Sequence, residues 1–123
     1  MIVLWVALGG AIGAVLRYLG AGAVLRVMGP AFPYGVMAVN VAGSFAMGLA
    51  AALILEKSGA GRASAFLMTG VLGGFTTFSA FSLDAIQLLE KGRFAAASAY
   101  VGGSVLLSLV ALAAGLWLGR MAV

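Results

Sequence analysis

Four apolar stretches, each about as long as a membrane crossing, make up most of this sequence. They cover residues 2–25, 35–55, 65–89 and 94–118, and only short polar segments separate them. A transmembrane helix needs roughly 20 mostly apolar residues to span the hydrocarbon core. The pattern therefore predicts an all-α membrane protein, a single domain of four transmembrane helices over residues 1–123.

Prolines, glycines and charged residues mark the connections between these stretches. Pro30 and Pro33 end the first helix, residues 56–62 (EKSGAGR) form the second loop, and residues 90–93 (EKGR) form a tight third turn. With four crossings, the N-terminus, the second loop and the C-terminus share one side of the membrane.

Composition agrees with this fold and excludes several kinds of function. The chain is 64% hydrophobic and 8% charged, with a mean hydropathy of +1.20, whereas soluble domains carry about 25% charged residues. It has no cysteine or histidine, which removes thiol chemistry, disulfides and the commonest transition-metal ligands. The seven basic residues are scattered singly, so they form no patch that would bind nucleic acid.

The basic residues near the helix ends are divided evenly between the two sides of the membrane. An excess of Lys and Arg on one side sets the orientation of a membrane protein, and here neither side has a clear excess. We therefore expect insertion in both directions and an antiparallel, dual-topology dimer; the alternative is one orientation set by another factor. The two sets are Lys57, Arg62 and Arg120 on the N-terminal side, and Arg26, Lys91 and Arg93 opposite, with Arg17 near the interface.

The third apolar stretch contains an unusual polar insert, GVLGGFTTFSAFS, at residues 70–82. Gly73 and Gly74 weaken the helix, and the hydroxyls that follow compete for backbone hydrogen bonds. We therefore predict a broken third helix, with the break near residues 73–77. Irregular backbone at membrane depth is tolerated only inside protein or beside water, and carbonyls freed by a break can coordinate Na⁺.

Polar and aromatic side chains in the other stretches point to an ion pathway. Asn40 either bonds to a neighbouring helix or offers its NH₂ group to an anion. In the fourth stretch, three hydroxyls at i, i+4 and i+8 lie on one helical face. Two phenylalanines three residues apart either pack as ordinary apolar side chains or present electropositive ring edges to an anion. The residues are Tyr100, Ser104 and Ser108, and Phe78 and Phe81.

Four segments together resemble the Fluc (CrcB) fluoride channels, small four-helix proteins that assemble as antiparallel dimers. They are GGAIGAVLRY at residues 9–18, PYGVMAVNVAGSFAMG at 33–48, GVLGGFTTFSAFSLD at 70–84 and EKGRF at 90–94. The third segment is highly specific, and the others follow in the family's order and spacing. The resemblance covers essentially the whole chain.

The resemblance implies two fluoride pathways per dimer and a structural Na⁺ at the dimer centre. The backbone carbonyls that would hold the Na⁺ belong to Gly73 and Thr76. The residues implied for the fluoride pathway are Asn40, Phe78, Phe81, Tyr100, Ser104 and Ser108.

Two positions depart from the family's usual sequence. Ala80 replaces a threonine, which leaves Ser79 as the only polar residue between the two rings, and we include Ser79 in the expected pathway. Asp84 stands where the family usually has a glutamate near the vestibule.

The expected function is passive, fluoride-selective conduction that lets cytoplasmic fluoride leave and lowers its toxicity, with no enzymatic activity. The resemblance places the chain in the plasma (inner) membrane as a multi-pass protein. Its expected partners are the fluoride ion, membrane lipid, and a second copy of itself or a sister chain.

Two other functions compete with this hypothesis. A small multidrug-resistance-type four-helix exporter would need a membrane-embedded carboxylate in its first helix for proton coupling, and residues 2–25 contain none. An accessory subunit of a larger membrane complex would explain the hydrophobicity, but it leaves the polar insert at residues 73–81 unexplained.

Overall fold

The computed structural model describes residues 1–122, and these contain four helical spans. The prediction of an all-helical chain with four helices long and apolar enough to cross a membrane is confirmed. Each span begins and ends within three residues of its predicted limits. The elements are α1 (Ile2–Met28), α2 (Tyr34–Ser58), α3 (residues 62–75), α4 (Ser79–Glu90) and α5 (Phe94–Met121), and α3 and α4 together form the third span, Arg62–Glu90.

Glycines with positive φ follow α1, α2 and α4, where the sequence turns back toward the membrane, and Gly59, with φ 73°, is the one after α2. Gly29, with φ 85°, closes α1 ahead of the two prolines. Gly92, with φ 73°, closes α4, and its N–H donates to the carbonyl of Leu89 at 3.0 Å. Side chains other than glycine rarely adopt this backbone conformation, so these turns depend on glycine.

α1 and α3 pack with their backbones in contact. A β-carbon built on Gly70 would lie 2.8 Å from Cα of Gly9, and one built on Gly74 would lie 2.7 Å from the carbonyl oxygen of Gly10. Small residues spaced in this way let helices approach closely in lipid, where van der Waals packing replaces the hydrophobic drive. The two glycine pairs at i and i+4, Gly9 with Gly13 and Gly70 with Gly74, therefore lie on the contacting faces of α1 and α3.

α2 and α5 form the second closely packed pair. Gly48 of α2 lies against the backbone of Leu112, and Gly115 of α5 lies against the backbone of Phe45. At one end of this pair, Arg120 donates to both carboxylate oxygens of Glu56, at 3.1 and 2.6 Å. This ion pair joins the end of α5 to the end of α2. The four-crossing topology predicts that both ends lie on the same side of the membrane.

The buried core is small and lies where α4 meets α5. Tyr100 is the largest fully buried side chain, with 0% exposure. Most large apolar side chains of α1 and α5 point outward, as expected of helices that face lipid or a partner. The core cluster consists of Phe81, Ala85, Leu88, Ala97 and Tyr100.

Helical geometry in the third span stops at Phe75 and resumes at Ser79. Between them, Thr76 adopts an extended conformation with φ −90° and ψ 157°. The polar backbone of residues 76–78 therefore lies near the middle of the span, beside α2 and α5.

We expect Gly9→Ala to destabilise the protein relative to Gly10→Ala by about 1–3 kcal/mol, the usual cost of overpacking. Both changes improve helix propensity equally, but a β-carbon on Gly9 meets the backbone of α3, and one on Gly10 meets no atom within 4 Å. Thermal unfolding of the purified variants in detergent measures the difference. Equal midpoints would contradict backbone contact between α1 and α3.

Candidate functional site

Residues 76–78, which separate α3 from α4, are called the interruption. A groove with a volume of about 380 Å³ runs along the face where α2, the interruption and α5 meet. Apolar helix surfaces form its walls, and hydroxyl and amide groups lie along it. Its polar lining comes from Asn40, Ser44, Thr76, Thr77, Ser104 and Ser108, and two rings, Phe78 and Phe81, border it.

Asn40 holds the interruption in place through both ends of its amide. Its Nδ2 donates to the carbonyl oxygen of Thr77 at 2.9 Å, and its Oδ1 accepts the Thr77 N–H at 2.7 Å. A donor facing a carbonyl and an acceptor facing an N–H fix the orientation of the amide. Asn40 therefore bonds to the neighbouring segment and also lines the groove, and this pair uses one of the two hydrogens of its Nδ2.

Three other side chains bond to the backbone around the interruption. Nε of Arg17 donates to the carbonyl of Gly74 at 3.1 Å, so the guanidinium caps the C-terminal end of α3. Thr76 Oγ1 donates to the carbonyl of Leu72 at 3.0 Å, and Thr77 Oγ1 accepts the N–H of Ala80 at 3.1 Å. Sequence reasoning missed the contacts of Arg17 and Thr77, because the partners are backbone atoms that no sequence pattern marks.

The carbonyl oxygens of Gly73 and Thr76 are available to bind a ligand. Among residues 1–122, no hydrogen bond of the structure reaches either oxygen. The same part of the chain holds no cluster of three or more His, Cys, Asp or Glu side chains that could bind a metal. Backbone carbonyl oxygens are among the ligands that hard cations bind.

The two phenylalanines differ in burial although they lie close together. Their ring centroids are 5.6 Å apart at an interplanar angle of 49°. Phe81 is 8% exposed and belongs to the core, whereas Phe78 is 78% exposed. Phe81 is thus fixed in the core of the chain, and the Phe78 ring projects outward from the surface.

Ser104 has a buried hydroxyl that finds no hydrogen-bond partner among the described residues. Ser104 is 4% exposed, and it lies in the groove with Ser108 one helical turn further along α5. A buried polar atom without a partner costs free energy, so an acceptor or donor in the groove would satisfy it.

Tyr100, the third residue of the predicted hydroxyl face, lies outside the groove. Its O–H donates to Oδ2 of Asp84 at 3.1 Å, and its ring packs 5.2 Å from that of Phe81 and 5.5 Å from that of Phe32. The face therefore separates into two parts, with Ser104 and Ser108 in the groove and Tyr100 in the core beneath it.

Ser79 and Ala80 lie at the first turn of α4, also outside the groove lining. The Ser79 side chain is exposed, and its hydroxyl lies 3.3 Å from that of Thr77. Ala80 contributes its backbone N–H to Thr77. The structure therefore brings together five of the seven expected pathway residues in one groove, namely Asn40, Phe78, Phe81, Ser104 and Ser108.

A second cavity, of about 430 Å³, opens at the end of the bundle where α1 ends. Its lining carries three cations, Arg17, Lys91 and Arg93, and one acid, Asp84. The excess of positive charge attracts anions. Tyr100 connects the two cavities, because it bonds to Asp84 in one and packs against Phe81 in the other.

Comparison with known proteins places this architecture in a family. A model of CrcB-like proteins, described as camphor resistance (CrcB), matches residues 4–116. A Cereibacter sphaeroides protein named fluoride-specific ion channel FluC is 58% identical over 113 residues, which are 92% of this chain and 90% of that protein.

Two further relatives bear the same name, fluoride-specific ion channel FluC. The Rhizobium etli protein is 54% identical over 118 residues, covering 95% of this chain and 94% of its own length. The Paracoccus denitrificans protein is 54% identical over 117 residues, covering 95% and 93%. With four membrane-capable helices and these relatives, the chain is a multi-pass membrane protein, and it belongs to the CrcB-like protein family.

Proposed function

We propose that this chain is a fluoride-selective ion channel that lets fluoride leave the cytoplasm passively. The observation that carries the proposal is the groove itself, where the buried Ser104 hydroxyl, which has no partner within residues 1–122, lies with Asn40 and the Phe81 ring. The relatives named fluoride-specific ion channel support the choice of ion. As a member of a family of ion channels, the chain is not an enzyme.

The groove meets the main physical demand of fluoride conduction. A small, strongly hydrated anion must exchange its water for donors along the path, in the way that selectivity filters replace the hydration of cations. The hydroxyls of Ser104 and Ser108 and the Nδ2 of Asn40 supply donors, and phenyl rings supply electropositive edges. The apolar walls hinder water and cations.

The sequence and the family match both argue against a multidrug exporter. The first acidic residue in the chain is Glu56, at the end of α2. An exporter driven by protons needs an ionisable group within its first helix, and the family match also points to channels.

We further propose that the chain works as an antiparallel, dual-topology dimer, with a second copy or with a sister chain. The position of residues 76–78 outside the helical elements supports this, because polar backbone at membrane depth cannot face lipid. Phe78 is 78% exposed and Gly73 is also exposed, so a partner that covers residues 73–78 would enclose both. The even charge distribution supports opposite orientations of the two subunits.

A structural Na⁺ at the dimer centre is the third part of the proposal. The carbonyls of Gly73 and Thr76 fit such an ion, because they lack hydrogen bonds among residues 1–122 and lie near the middle of the span. Carbonyl oxygens at a helix break suit a hard monovalent cation. Bound there, Na⁺ would supply charge compensation for these oxygens and hold the two subunits together.

We expect liposomes containing the purified protein to release fluoride without releasing chloride at a comparable rate. The groove offers donors at close range for a small anion, and a larger anion would gain less from them. A fluoride electrode and a chloride electrode measure the two fluxes. Chloride release equal to that of fluoride, or no fluoride release, would contradict the proposed function.

We expect Ser104→Ala to lower the fluoride flux about tenfold, the effect of losing one buried hydrogen-bond donor. Ser98→Ala is the matched control, since Ser98 is an exposed serine of the same helix. Both fluxes are compared at equal protein incorporation. Unchanged flux in Ser104→Ala would remove Ser104 from the pathway.

We expect exhaustive removal of Na⁺ to weaken the dimer. The carbonyls of Gly73 and Thr76 would then lose their only proposed partner, and unsatisfied carbonyls at membrane depth are unfavourable. Subunit exchange between differently labelled dimers, measured with sodium replaced by N-methyl-D-glucamine, reports the change. An exchange rate indifferent to sodium would count against the central site.

A further inference from the structure

We infer that Thr77 is a positioning residue for the proposed cation site, because its hydroxyl takes a backbone N–H away from the Thr76 carbonyl and leaves that oxygen for the ion. The inference rests on the cation site of the proposed function. It gives a specific role to the Thr77 side chain, which in the sequence is one of several hydroxyls of the insert at residues 70–82.

The first step is the hydrogen bond at the start of α4. In a continuous α-helix, the N–H of residue 80 would donate to the carbonyl of residue 76. Here the N–H of Ala80 donates to Thr77 Oγ1 at 3.1 Å, as to a helix-capping hydroxyl. The Thr76 carbonyl is therefore released from the helix by a side chain of its neighbour.

The carbonyl of Gly73 likewise loses its helical N–H donor to a side-chain acceptor. The helical donor for this carbonyl would be the N–H of Thr77, but that N–H donates to Oδ1 of Asn40 at 2.7 Å. Two side-chain acceptors, one from α2 and one from Thr77, thus replace the two carbonyls as acceptors. The oxygens released in this way belong to Gly73 and Thr76, the pair proposed to hold Na⁺.

Thr76 and Thr77 are adjacent threonines with different tasks. Thr76 Oγ1 donates back to the carbonyl of Leu72, within its own half-helix, at 3.0 Å. Thr77 uses its N–H, its carbonyl and its hydroxyl on partners outside the helical ladder. Its position is therefore fixed at three points, and the two free carbonyls that precede it in the chain are held ready before an ion arrives.

Asn40 couples this arrangement to the groove. It lines the groove and bonds to Thr77, so one amide supports the anion path and frees one cation ligand. Thr77 also belongs to the groove lining, but its Oγ1 accepts the N–H of Ala80 and so acts on the Thr76 carbonyl. Substitution of the Thr77 hydroxyl separates the two effects better than substitution of Asn40.

The test compares Thr77→Val, which keeps the side-chain shape but removes the acceptor, with Thr77→Ser, which keeps the hydroxyl. Thr69→Val is the matched control, because Thr69 is exposed on the same half of the span, away from the interruption. Dimer fraction in detergent is measured against sodium concentration at constant ionic strength. Fluoride flux is measured on the same samples.

We expect Thr77→Val to raise the sodium concentration for half-maximal dimer about tenfold or more, as for the loss of one hydrogen bond that organises a site. Its Ala80 N–H would return to the Thr76 carbonyl and remove that oxygen from the site. High sodium should restore the dimer, and Thr77→Ser and Thr69→Val should match the wild type. Restoration by sodium is a response that a merely unstable variant would not give.

Two negative results are distinguishable. If the wild-type dimer is indifferent to sodium, the proposed cation site is wrong. If the wild type responds but Thr77→Val has an unshifted midpoint, only the role of Thr77 is wrong. Should Thr77→Val fail to assemble, Thr77→Ala removes the same acceptor with less volume, and loss of assembly in both variants that sodium does not restore would also overturn the inference.

Discussion

The structure depends on one constraint, which is that the polar backbone of an interrupted helix must find partners inside the membrane. Water is absent from the hydrocarbon core, so each N–H and carbonyl at residues 73–80 needs a protein atom or an ion. The side chains of Arg17, Asn40 and Thr77 supply four of these partners. The elements that carry them, α1, α2 and the third span, must therefore hold fixed positions relative to one another.

Glycine packing provides that fixed frame. α1 lies against α3 and α2 lies against α5 at backbone contact distance, which leaves little freedom for sliding. A rigid frame of this kind allows hydrogen bonds of 2.7–3.1 Å to form between residues 37 and 57 positions apart in the sequence. Helix packing and the interruption are linked, because a shift of α1 or α2 against the third span would lengthen these hydrogen bonds.

The proposed anion path and the proposed cation site share structural elements without sharing ligands. Asn40 lines the groove and releases the Gly73 carbonyl, while Phe81 connects the groove through Tyr100 and Asp84 to the cationic cavity. The arrangement explains why so short a chain can serve both ions. In the proposed arrangement, side chains of the groove would take the anion, and the carbonyls left free by Asn40 and Thr77 would take the cation.

The sequence by itself determined the four spans, their limits within three residues, and the residue types of the site, because hydrophobic length and residue spacing are local properties. The resemblance of its motifs identified the family. Tertiary structure alone decided which hydroxyls meet in the groove. Tyr100 shares a helical face with Ser104 and Ser108, yet it turns into the core because α4 presents Asp84 to its O–H. Only packing brings Thr77 to Asn40, and helical periodicity carries no information about that contact.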